Sequence, residues 1–367
     1  MKTNPSFDLS LLADKKLSRP IRAGVLGLGR IGWLHHAATI QFHNGFTLHS
    51  VCDIEAGRVQ EAAGASGCAG FTDYAAFLAQ QDLELVIVAS QSHFHEAHTL
   101  QALRAGKHVL CEKPACLDPQ ELRRMARASQ KAGRLLAIHH NQRLHPDFLA
   151  IQEILARGTL GKIFRIRRAH TSFQRRNDWQ VLRKYHGGIL SNWGTHLIDQ
   201  TLHLADSPPE RLWSAMRREF NPGDTEDDLR AIIECRNGVV LDLEVSYANA
   251  AQGPSWVVQG NRGTAWIQGK TLHTRFLHGK IPPLNVQDGH MAGTRTYGAS
   301  GDKLNWKTEE RPAQPLKPHE GYYDNLYRAI RQGKPLLVGP ESALPVYETM
   351  ARIRAESAFD PTVSPAS

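Results

Sequence analysis

Residues 21–53 read IRAGVLGLGRIGWLHHAATIQFHNGFTLHSVCD, and the rest of the chain can be understood outward from them. An apolar run, Ile21–Leu26, leads into the glycine-rich turn GLGRIG at positions 27–32, and a helical pattern follows. A second apolar run ends at Asp53, 21 residues after Gly32. A G-x-G-x-x-G turn between a strand and a helix, followed by an acid at this distance, predicts a dinucleotide-binding unit. A purely structural glycine turn is the alternative.

Each position of the turn has a physical role in such a unit. Gly27 permits the tight turn, Gly29 has no Cβ to hinder a pyrophosphate, and Gly32 lets the helix pack closely. The free N–H groups at the helix N-terminus attract the phosphates. Asp53 would accept hydrogen bonds from ribose hydroxyls and repel a 2′-phosphate, so the sequence predicts NAD as the cofactor. Arg30 could instead bind a 2′-phosphate, which keeps NADP open as the less favoured cofactor.

The bulk composition is that of an ordinary globular protein. The chain has 367 residues, of which 41% are hydrophobic and 22% charged, and this length favours two domains. No apolar stretch approaches the roughly 20 residues of a membrane span, and the N-terminus lacks a secretory pattern. The five cysteines are scattered without a CxxC pair, as is typical of a reducing compartment. We therefore expect a cytoplasmic protein without a membrane partner.

The chain is basic, with a formal net charge of +8. Nucleic acid is one possible partner of a basic protein, but the Lys and Arg residues do not form a single long run. The densest segment extends from Arg165 to Lys184. Its arginines at 165–176 would either contact an acidic or phosphorylated sugar or lie on the far face of a sheet. The sequence does not distinguish these two cases, and it predicts no nucleic-acid partner.

The order of apolar patterns divides the chain. Up to about residue 145, short strands alternate with helices, which predicts βαβ units and a parallel sheet. Beyond a connecting helix at 146–158, strands joined by short turns predict a largely antiparallel sheet. Helical patterns return at 321–331 and 341–358, whereas 271–318 is predicted to be irregular. We expect a leader (1–20), a nucleotide-binding domain (21–145) and an α+β substrate domain (146–367) whose last helices pack back toward the first domain.

Two polar segments follow strands of the predicted parallel sheet, where ligands of such sheets bind. One is Ser90-Gln91-Ser92-His93-Phe94-His95, and the other is Cys111-Glu112-Lys113-Pro114. A lysine beside a nicotinamide would hydrogen-bond a substrate hydroxyl and favour the alkoxide that develops during oxidation. A lysine on a surface loop without catalytic function is the alternative for Lys113.

The second domain contains one dense polar segment, residues 185–199. In it, Asn192, His196 and Asp199 are separated by four and three positions, so they share one face if the segment is a helix. Histidine titrates near neutrality and suits proton transfer to or from a hydroxyl. A buried histidine held by a polar neighbour is an equally good interpretation of His196 from the spacing alone.

These segments together resemble the Gfo/Idh/MocA family, the group of glucose–fructose oxidoreductase and inositol dehydrogenase. The likeness extends from about residue 21 to 358. It is carried by GLGRIG (27–32), Asp53, AGKHVLCEKP (105–114), NQRLHP (141–146), GTLGKI (158–163), GGILSNWGTHLID (187–199) and YYDNLYRAIRQGKP (322–335). The resemblance implies an α/β Rossmann domain followed by an α+β domain with a large open, mainly antiparallel sheet. It also implies NAD(P)-dependent hydride transfer between nicotinamide and a secondary alcohol or ketone of a sugar, glycoside or cyclic polyol.

The resemblance assigns a catalytic role to Lys113 and an acid–base role to His196. Asn192 departs from the family pattern, which has an aspartate there; an amide can orient a hydroxyl but cannot accept a proton. Proton transfer would then rest on His196 and Lys113, with Asp199 orienting the histidine. The predicted substrate-binding residues are Asn192, Asp199, Trp179 and Arg143. The predicted cofactor-binding residues are Gly27, Gly29, Arg30, Ile31, Gly32, Asp53, Ser90, Ser92, His95, Glu112 and Lys113.

The 19 histidines raise the question of a metal site. The candidate pairs are His93/His95, His139/His140 and His35/His36, but none has a second pair of ligands at zinc spacing, so no metal is predicted.

Two other functions share the predicted fold. One is redox-assisted glycoside cleavage with no net NADH, and the other is a non-enzymatic, nucleotide-gated sensor. For assembly, we expect a homodimer or homotetramer formed through the open sheet.

Overall fold

The computed structural model describes residues 19–281, 283–284, 303–316, 321–360 and 362. Six strands form a parallel sheet in the order β3-β2-β1-β4-β5-β6. Their bounds are β1 Ile21–Leu26, β2 Phe46–Cys52, β3 Ala69–Phe71, β4 Leu85–Val88, β5 His108–Cys111 and β6 Leu136–Ile138. The helices around them are α1 Ala38–Phe42, α2 Ala56–Ser66, α3 Tyr74–Leu78, α4 His95–Arg104 and α5 Pro119–Ala132.

This sheet has the strand order of a Rossmann domain, so the predicted fold of the first domain is confirmed. Every residue of β4 is buried, as expected for a central strand covered by helices on both faces. The strand order reverses beside β1, which pairs with both β2 and β4. Ligands of open α/β sheets bind at the carboxyl ends of the strands at such a reversal, directly after Leu26.

The second sheet has eight strands in the described part of the chain, in the order β14-β13-β12-β11-β7-β10-β9-β8. All its pairs are antiparallel except β7 with β10, which confirms the predicted mainly antiparallel sheet. The bounds are β7 Ile163–Thr171, β8 Pro209–Arg217, β9 Asp228–Cys235, β10 Val240–Ser246, β11 Trp256–Gly260, β12 Gly263–Gln268, β13 Thr271–Leu277 and β14 Trp306–Pro312. The helices are α6 Pro146–Ala156, α7 Thr195–Ala205, α8 Tyr322–Gln332 and α9 Pro340–Glu356.

Two strands fall in the segment 271–318 that was predicted to be irregular, so that prediction is wrong for β13 and β14. In β13 the buried positions are Leu272, Thr274 and Phe276, and a threonine in the middle obscures the alternation. In β14, the sequence WKTEERP is mostly exposed because this strand lies at the edge of the sheet. The remaining parts of the segment, 282, 285–302 and 317–318, lie outside the described residues.

The last helices contact the parallel sheet directly. Tyr322 Oη donates to Ile138 O over 2.6 Å, and Ile138 N donates to Val338 O over 3.0 Å. In addition, Ala115 N donates to Tyr347 Oη over 2.9 Å. Hydrogen bonds of α8, α9 and the segment between them therefore close the β6 edge of the sheet. The expected leader, 1–20, lies outside the described residues except for its last two positions. Among the described residues, no helix combines the length and the apolar character needed to cross a membrane.

Candidate active site

The glycine turn after β1 is shaped by contacts that only glycine permits at two positions. Gly27 has φ +91°, and a Cβ there would lie 2.6 Å from Ala89 O. A Cβ at Gly32 would lie 1.7 Å from Gly27 O, so this position needs glycine for close packing. At Gly29 a Cβ would meet no atom within 4 Å. The backbone at Gly29 is therefore open on the side where a pyrophosphate would approach, and the turn fits a dinucleotide.

Asp53, at the end of β2, is attached to the glycine turn. Leu28 N donates to Asp53 Oδ2 over 2.6 Å, and Glu55 N donates to Oδ1 over 2.9 Å. The residue is only 6% exposed. Arg58 Nη1 lies 3.7 Å from Oδ2, and Arg30 is exposed on the turn. The carboxylate is therefore fixed beside the turn, and one cation that the sequence analysis did not name, Arg58, lies near it.

Two polar loops meet beside this turn. The ring nitrogens of His95 lie 2.8 Å from Pro114 O and 2.9 Å from Ser90 O, so the ring connects the loops that follow β4 and β5. Ser90 Oγ contacts His98 Nδ1 at 2.9 Å, and Ser92 is buried at the start of a short 3-10 helix. His95 therefore joins these two loops, and its predicted contact with the cofactor stays a prediction.

Lys113 joins the two domains. Its Nζ donates to Asn192 O over 3.0 Å and to Asn192 Oδ1 over 3.2 Å, although the two residues are 79 positions apart. Burial lowers the pKa of the Lys113 ammonium; Glu112 opposes this shift, whereas Arg176 and Arg30 add to it. Because its described partners are neutral oxygens, the ammonium has no carboxylate hydrogen-bonded to Nζ. The structure thus brings together two predicted site residues that no local pattern connects.

Glu112 fixes the backbone of Lys113 and is itself held by two histidines. Its Oε2 accepts from Lys113 N over 2.9 Å, and its Oε1 accepts from His36 Nε2 (2.9 Å) and His139 Nδ1 (2.6 Å). Tyr323 Oη lies 2.6 Å from the other nitrogen of His36. Burial alone would raise the pKa of Glu112, but His139 and His36 hold it well below its usual range. The predicted cofactor-binding role is thus not what the contacts favour: this carboxylate is enclosed by protein donors and fixes the backbone at Lys113.

The same network contains three histidines that the sequence analysis did not combine. His35, His36 and His139 offer nitrogen atoms that all lie within 4.8 Å of one another. The pairs His35/His36 and His139/His140 come from segments about 100 residues apart, so spacing along the chain could not show this meeting. In the structure, the Glu112 carboxylate holds the rings of His36 and His139 together by hydrogen bonds.

His196 lies at the first turn of α7. It is 5% exposed, and its Nδ1 is buried without a hydrogen-bond partner among the described residues. Its ring centroid is 6.2 Å from that of His140 and 5.9 Å from that of Trp193. Burial, and next the charge of Lys113, hold the pKa of His196 well below its usual value. The imidazole is therefore neutral near pH 7 and can accept a proton.

Asp199 and Arg143, both predicted to bind substrate, form a buried ion pair with each other, and their contact with a substrate stays a prediction. Arg143 donates from Nε and Nη2 to the Asp199 carboxylate over 2.6–3.1 Å, and from Nη1 to Leu337 O over 3.1 Å. Asp199 is 1% exposed and Arg143 is 7% exposed. The four-and-three spacing did place Asp199 near His196 on the helix, but the turn Asn141–Leu144 supplies a stronger partner. Within the described residues, the Asp199 carboxylate is bonded to Arg143, and His196 Nδ1 has no hydrogen-bond partner.

An open cavity of about 630 Å³ lies between the inner face of β7 and the helical turns before α7. Asn192 Nδ2 donates over 3.1 Å to Tyr247 Oη, and Tyr247 lines the cavity, so one hydrogen bond links the cavity wall to the Lys113–Asn192 contact. Lys113, Asn192 and His196 are not part of the described lining. Trp193 stacks on His170 with 3.5 Å between ring centroids. The cavity lining includes Gln142, His145, Asp147, Arg168, His170, Ser172, Arg176, Trp193, Tyr247 and Ser255.

The residues that line the cavity differ from the residues predicted to bind substrate. Trp179, predicted to bind substrate, is half-buried in the 3-10 turn Trp179–Val181 and does not line this cavity. Tyr247 and His170 line it but were not predicted. Their only sequence signal is their place near the ends of strands of the second sheet, a position shared with many residues that have no function.

Comparison with known proteins gives a consistent result. The model of the oxidoreductase family with an NAD-binding Rossmann fold, GFO_IDH_MocA, matches residues 21–140, and the GFO/IDH/MocA C-terminal domain matches residues 148–266. D-glucoside 3-dehydrogenase of Escherichia coli (strain K12) is 30% identical over 63% of this chain and 71% of its own length. The scyllo-inositol 2-dehydrogenase (NADP(+)) IolW of Bacillus subtilis (strain 168) is 29% identical over 92% of this chain and 94% of its own length.

Solved structures show the same architecture. An NAD-binding protein from Listeria innocua superposes with a TM-score of 0.78 at 24% identity, over 92% of this chain and 95% of that one. The WlbA dehydrogenase from Bordetella pertussis, in complex with NADH and UDP-GlcNAcA, gives 0.73 at 21% identity, over 92% of this chain and 96% of that one. At these identities the likeness establishes the fold. Together with the family matches and the glycine turn, it identifies this chain as a member of the Gfo/Idh/MocA family of oxidoreductases.

Proposed function

We propose that this protein is an NAD-dependent dehydrogenase that oxidises a secondary alcohol of a sugar, glycoside or cyclic polyol, or reduces the corresponding ketone. The observation that supports the proposal best is the hydrogen bonding of Lys113 Nζ to Asn192, because it joins the loop after β5 of the Rossmann domain to the second domain. The names of the relatives, a glucoside dehydrogenase and a scyllo-inositol dehydrogenase, support the class of substrate.

Each residue of the site has a distinct task in this proposal. A bound nicotinamide supplies the acceptor or donor of the hydride. Lys113 hydrogen-bonds the reacting oxygen and stabilises its negative charge, which develops only as the reaction proceeds. The neutral imidazole of His196 takes the hydroxyl proton. Asn192 orients the lysine and the substrate oxygen but holds no charge and moves no proton.

The preference for NAD rests on Asp53. Its carboxylate is fixed beside the glycine turn by Leu28 N and would repel a 2′-phosphate. Arg58, whose Nη1 lies 3.7 Å from Asp53 Oδ2, would attract one, as would the exposed Arg30 of the turn, so the preference depends on which charge is closer to the ribose. Measuring kcat/KM with NAD and with NADP decides between them. We expect Asp53→Ala to lower the NAD/NADP ratio and Arg58→Ala to raise it; unchanged ratios in both would contradict this assignment.

The central test is the nicotinamide absorbance of the purified protein with NAD and a panel of polyols, free sugars, sugar acids and glycosides. One class of substrate should yield NADH. Lys113→Ala should then lose several orders of magnitude in kcat and keep its affinity for NAD, whereas the exposed Lys131→Ala serves as a control with unchanged activity. Full activity of Lys113→Ala would contradict the proposal. Product formed without net NADH would favour redox-assisted cleavage instead.

We also propose that copies of the chain associate through the outer face of the second sheet. Trp213 is 52% exposed there, and Trp266 stacks on His273 with ring centroids 5.0 Å apart. Light scattering should give two or four times the chain mass of 40.9 kDa. A monomer at micromolar concentration would contradict this association.

A further inference from the structure

The cavity that is linked to Asn192 through Tyr247 contains a buried arginine, Arg168, whose hydrogen-bond partners among the described residues are all neutral. Arg168 Nε donates to Gln200 Oε1 over 3.2 Å, and Nη1 donates to Ala169 O (2.7 Å) and Ser255 O (3.2 Å). Within the described residues, no carboxylate forms an ion pair with it. Burial lowers its pKa to about 10, so it remains charged near neutrality. A buried cation whose partners are neutral is costly unless a ligand supplies the opposite charge.

The neighbouring residue, Arg167, lies on the opposite face of β7 and has an acidic partner there. Arg167 Nη2 donates to Glu244 Oε2 over 2.7 Å, so its charge is neutralised within the sheet. Arg167 does not line the cavity, whereas Arg168 does. Because successive side chains of a strand point to opposite faces, the basic segment of β7 is divided between the two sides. The sequence did not decide whether these arginines face a substrate or the far side of the sheet, and in the structure Arg168 lines the cavity.

Two hydroxyl groups of the cavity lining also lack partners. The Oγ atoms of Ser172 and Ser255 are buried and make no hydrogen bond in the structure. Buried polar groups are normally hydrogen-bonded, so each exception needs an explanation, and a bound ligand is one. Ser255 O already accepts from Arg168 Nη1 over 3.2 Å, which places this residue next to the unpaired guanidinium.

The described lining of the cavity carries two guanidinium groups, Arg168 and Arg176, and one carboxylate, Asp147. Arg176 is already paired with Asp178 at 2.5 Å, so it contributes little net charge. Burial raises the pKa of Asp147, although His145 and Arg168 oppose this shift. Arg168 is therefore a cation of this wall with only neutral hydrogen-bond partners among the described residues, and the charge of Asp147 favours its protonated form.

We propose that this wall binds an oxyanion substituent of the substrate, a carboxylate or a phosphate carried by the sugar, through Arg168 with Ser255 and Ser172 as additional donors. The inference rests on the proposed function and specifies its substrate class. A guanidinium presents its N–H groups in a plane that matches a carboxylate or phosphate, and the serine hydroxyls add donors beside it. The neutral Asn192 and the lysine would then hold the reacting end of the same molecule.

Direct binding tests the subsite without turnover. The full-length protein saturated with NADH, which cannot accept a hydride from a sugar alcohol, is titrated with D-glucuronate, D-glucose 6-phosphate and D-glucose, and Kd is measured by calorimetry. We expect an anionic sugar to bind roughly tenfold or more tightly than glucose. Arg168→Met should abolish this preference, and the matched control Arg167→Met, one residue away on the other face, should retain it.

The outcomes separate the subsite from the function. Equal affinities for all three sugars, or a preference that survives in Arg168→Met, overturn the subsite. If Arg168→Met does not fold, as judged by its circular dichroism, the titration is made with Ser172→Ala/Ser255→Ala: a clearly reduced preference supports the subsite, and an unchanged one overturns it. Anion binding that depends on Arg168 without NADH from any sugar leaves the subsite intact but contradicts the dehydrogenase. If neutral sugars yield NADH and no anionic sugar binds more tightly, the dehydrogenase is supported and the subsite is overturned.

Discussion

At the scale of single residues, the proposed chemistry depends on the contact between Lys113 and Asn192. An aspartate at position 192 would pair its charge with the ammonium and raise the pKa of Lys113, whereas the amide leaves burial to lower it. The proposed role of Lys113 needs its protonated form. Activity therefore has to fall as the pH rises through the pKa of this lysine.

Asn192→Asp should move that fall to higher pH. The added negative charge stabilises the ammonium, and an opposite charge at hydrogen-bond distance shifts a pKa by about one unit or more. The measurement is the pH profile of kcat/KM for the wild type and the variant. Asn192→Ser is the control, since it removes the amide without adding charge. A falling limb that stays in place in Asn192→Asp would show that Lys113 does not act in its protonated form.

The neutral state of His196 predicts the acid side of the same profile. Because burial and Lys113 hold its pKa well below the usual value, the wild type should show no histidine-like loss of kcat/KM between about pH 7 and 6. His196→Gln should lower kcat by roughly 10²–10⁴-fold through loss of the proton acceptor. His203→Gln, on the exposed side of the same helix, is the control. A variant His196→Gln with normal kcat would assign this histidine to the core.

At the scale of elements, two glycines of the turn after β1 differ in why a side chain is excluded there. A Cβ at Gly32 collides with Gly27 O, whereas a Cβ at Gly29 meets nothing in the protein. The two glycines belong to one motif, but we expect Gly32 to be needed for packing of the helix and Gly29 for binding of the ligand. The helical turns Gly32–Ala37 that follow depend on the first of these contacts.

Gly29→Ala should therefore bind NAD at least roughly tenfold more weakly and keep the thermal stability of the wild type within a few degrees. Gly32→Ala should lose both, since its Cβ has no room. Gly64→Ala on α2, where a Cβ also meets nothing within 4 Å, is the control for an added methyl group. Calorimetric titration with NAD and a thermal melt measure the two effects. Unchanged NAD affinity in Gly29→Ala would place the pyrophosphate elsewhere.

At the scale of the whole molecule, a buried ion pair connects the two domains. Arg143 comes from the turn after the parallel sheet, Asp199 comes from α7, and the pair also holds Leu337 O. Breaking such a pair from one side leaves a buried charge uncompensated, which costs more than replacing both partners.

Asp199→Ala should lower the free energy of unfolding by about 3–5 kcal/mol, because the Arg143 guanidinium stays buried without its acid. Chemical denaturation measures this loss. The double variant Arg143→Met/Asp199→Leu should recover most of it, since neither side then carries a charge. A single variant as stable as the wild type would show that the pair contributes little to folding.

The sequence predicted more of the fold than of the site. Alternating patterns and GLGRIG predicted both sheets, and the structure confirms them. The edge strand Trp306–Pro312 was missed because a strand that buries almost nothing has no apolar alternation. The pairing of Arg143 with Asp199 was missed because the residues are 56 positions apart, and no local spacing reports such a contact. The catalytic roles of Lys113 and His196 remain predictions until the variants are measured.

The contacts of Ile138 have a consequence for how the protein is made. Its carbonyl accepts from Tyr322, 184 residues further along the chain, and its N–H donates to Val338. A ribosome that has translated the whole parallel sheet still has to synthesise the second sheet before these partners emerge. Until then, the β6 edge of the newly made Rossmann domain lacks these hydrogen-bond partners, and chaperones cover exposed strand edges of this kind. Although the residues of the cofactor domain are synthesised first, the domain is completed last.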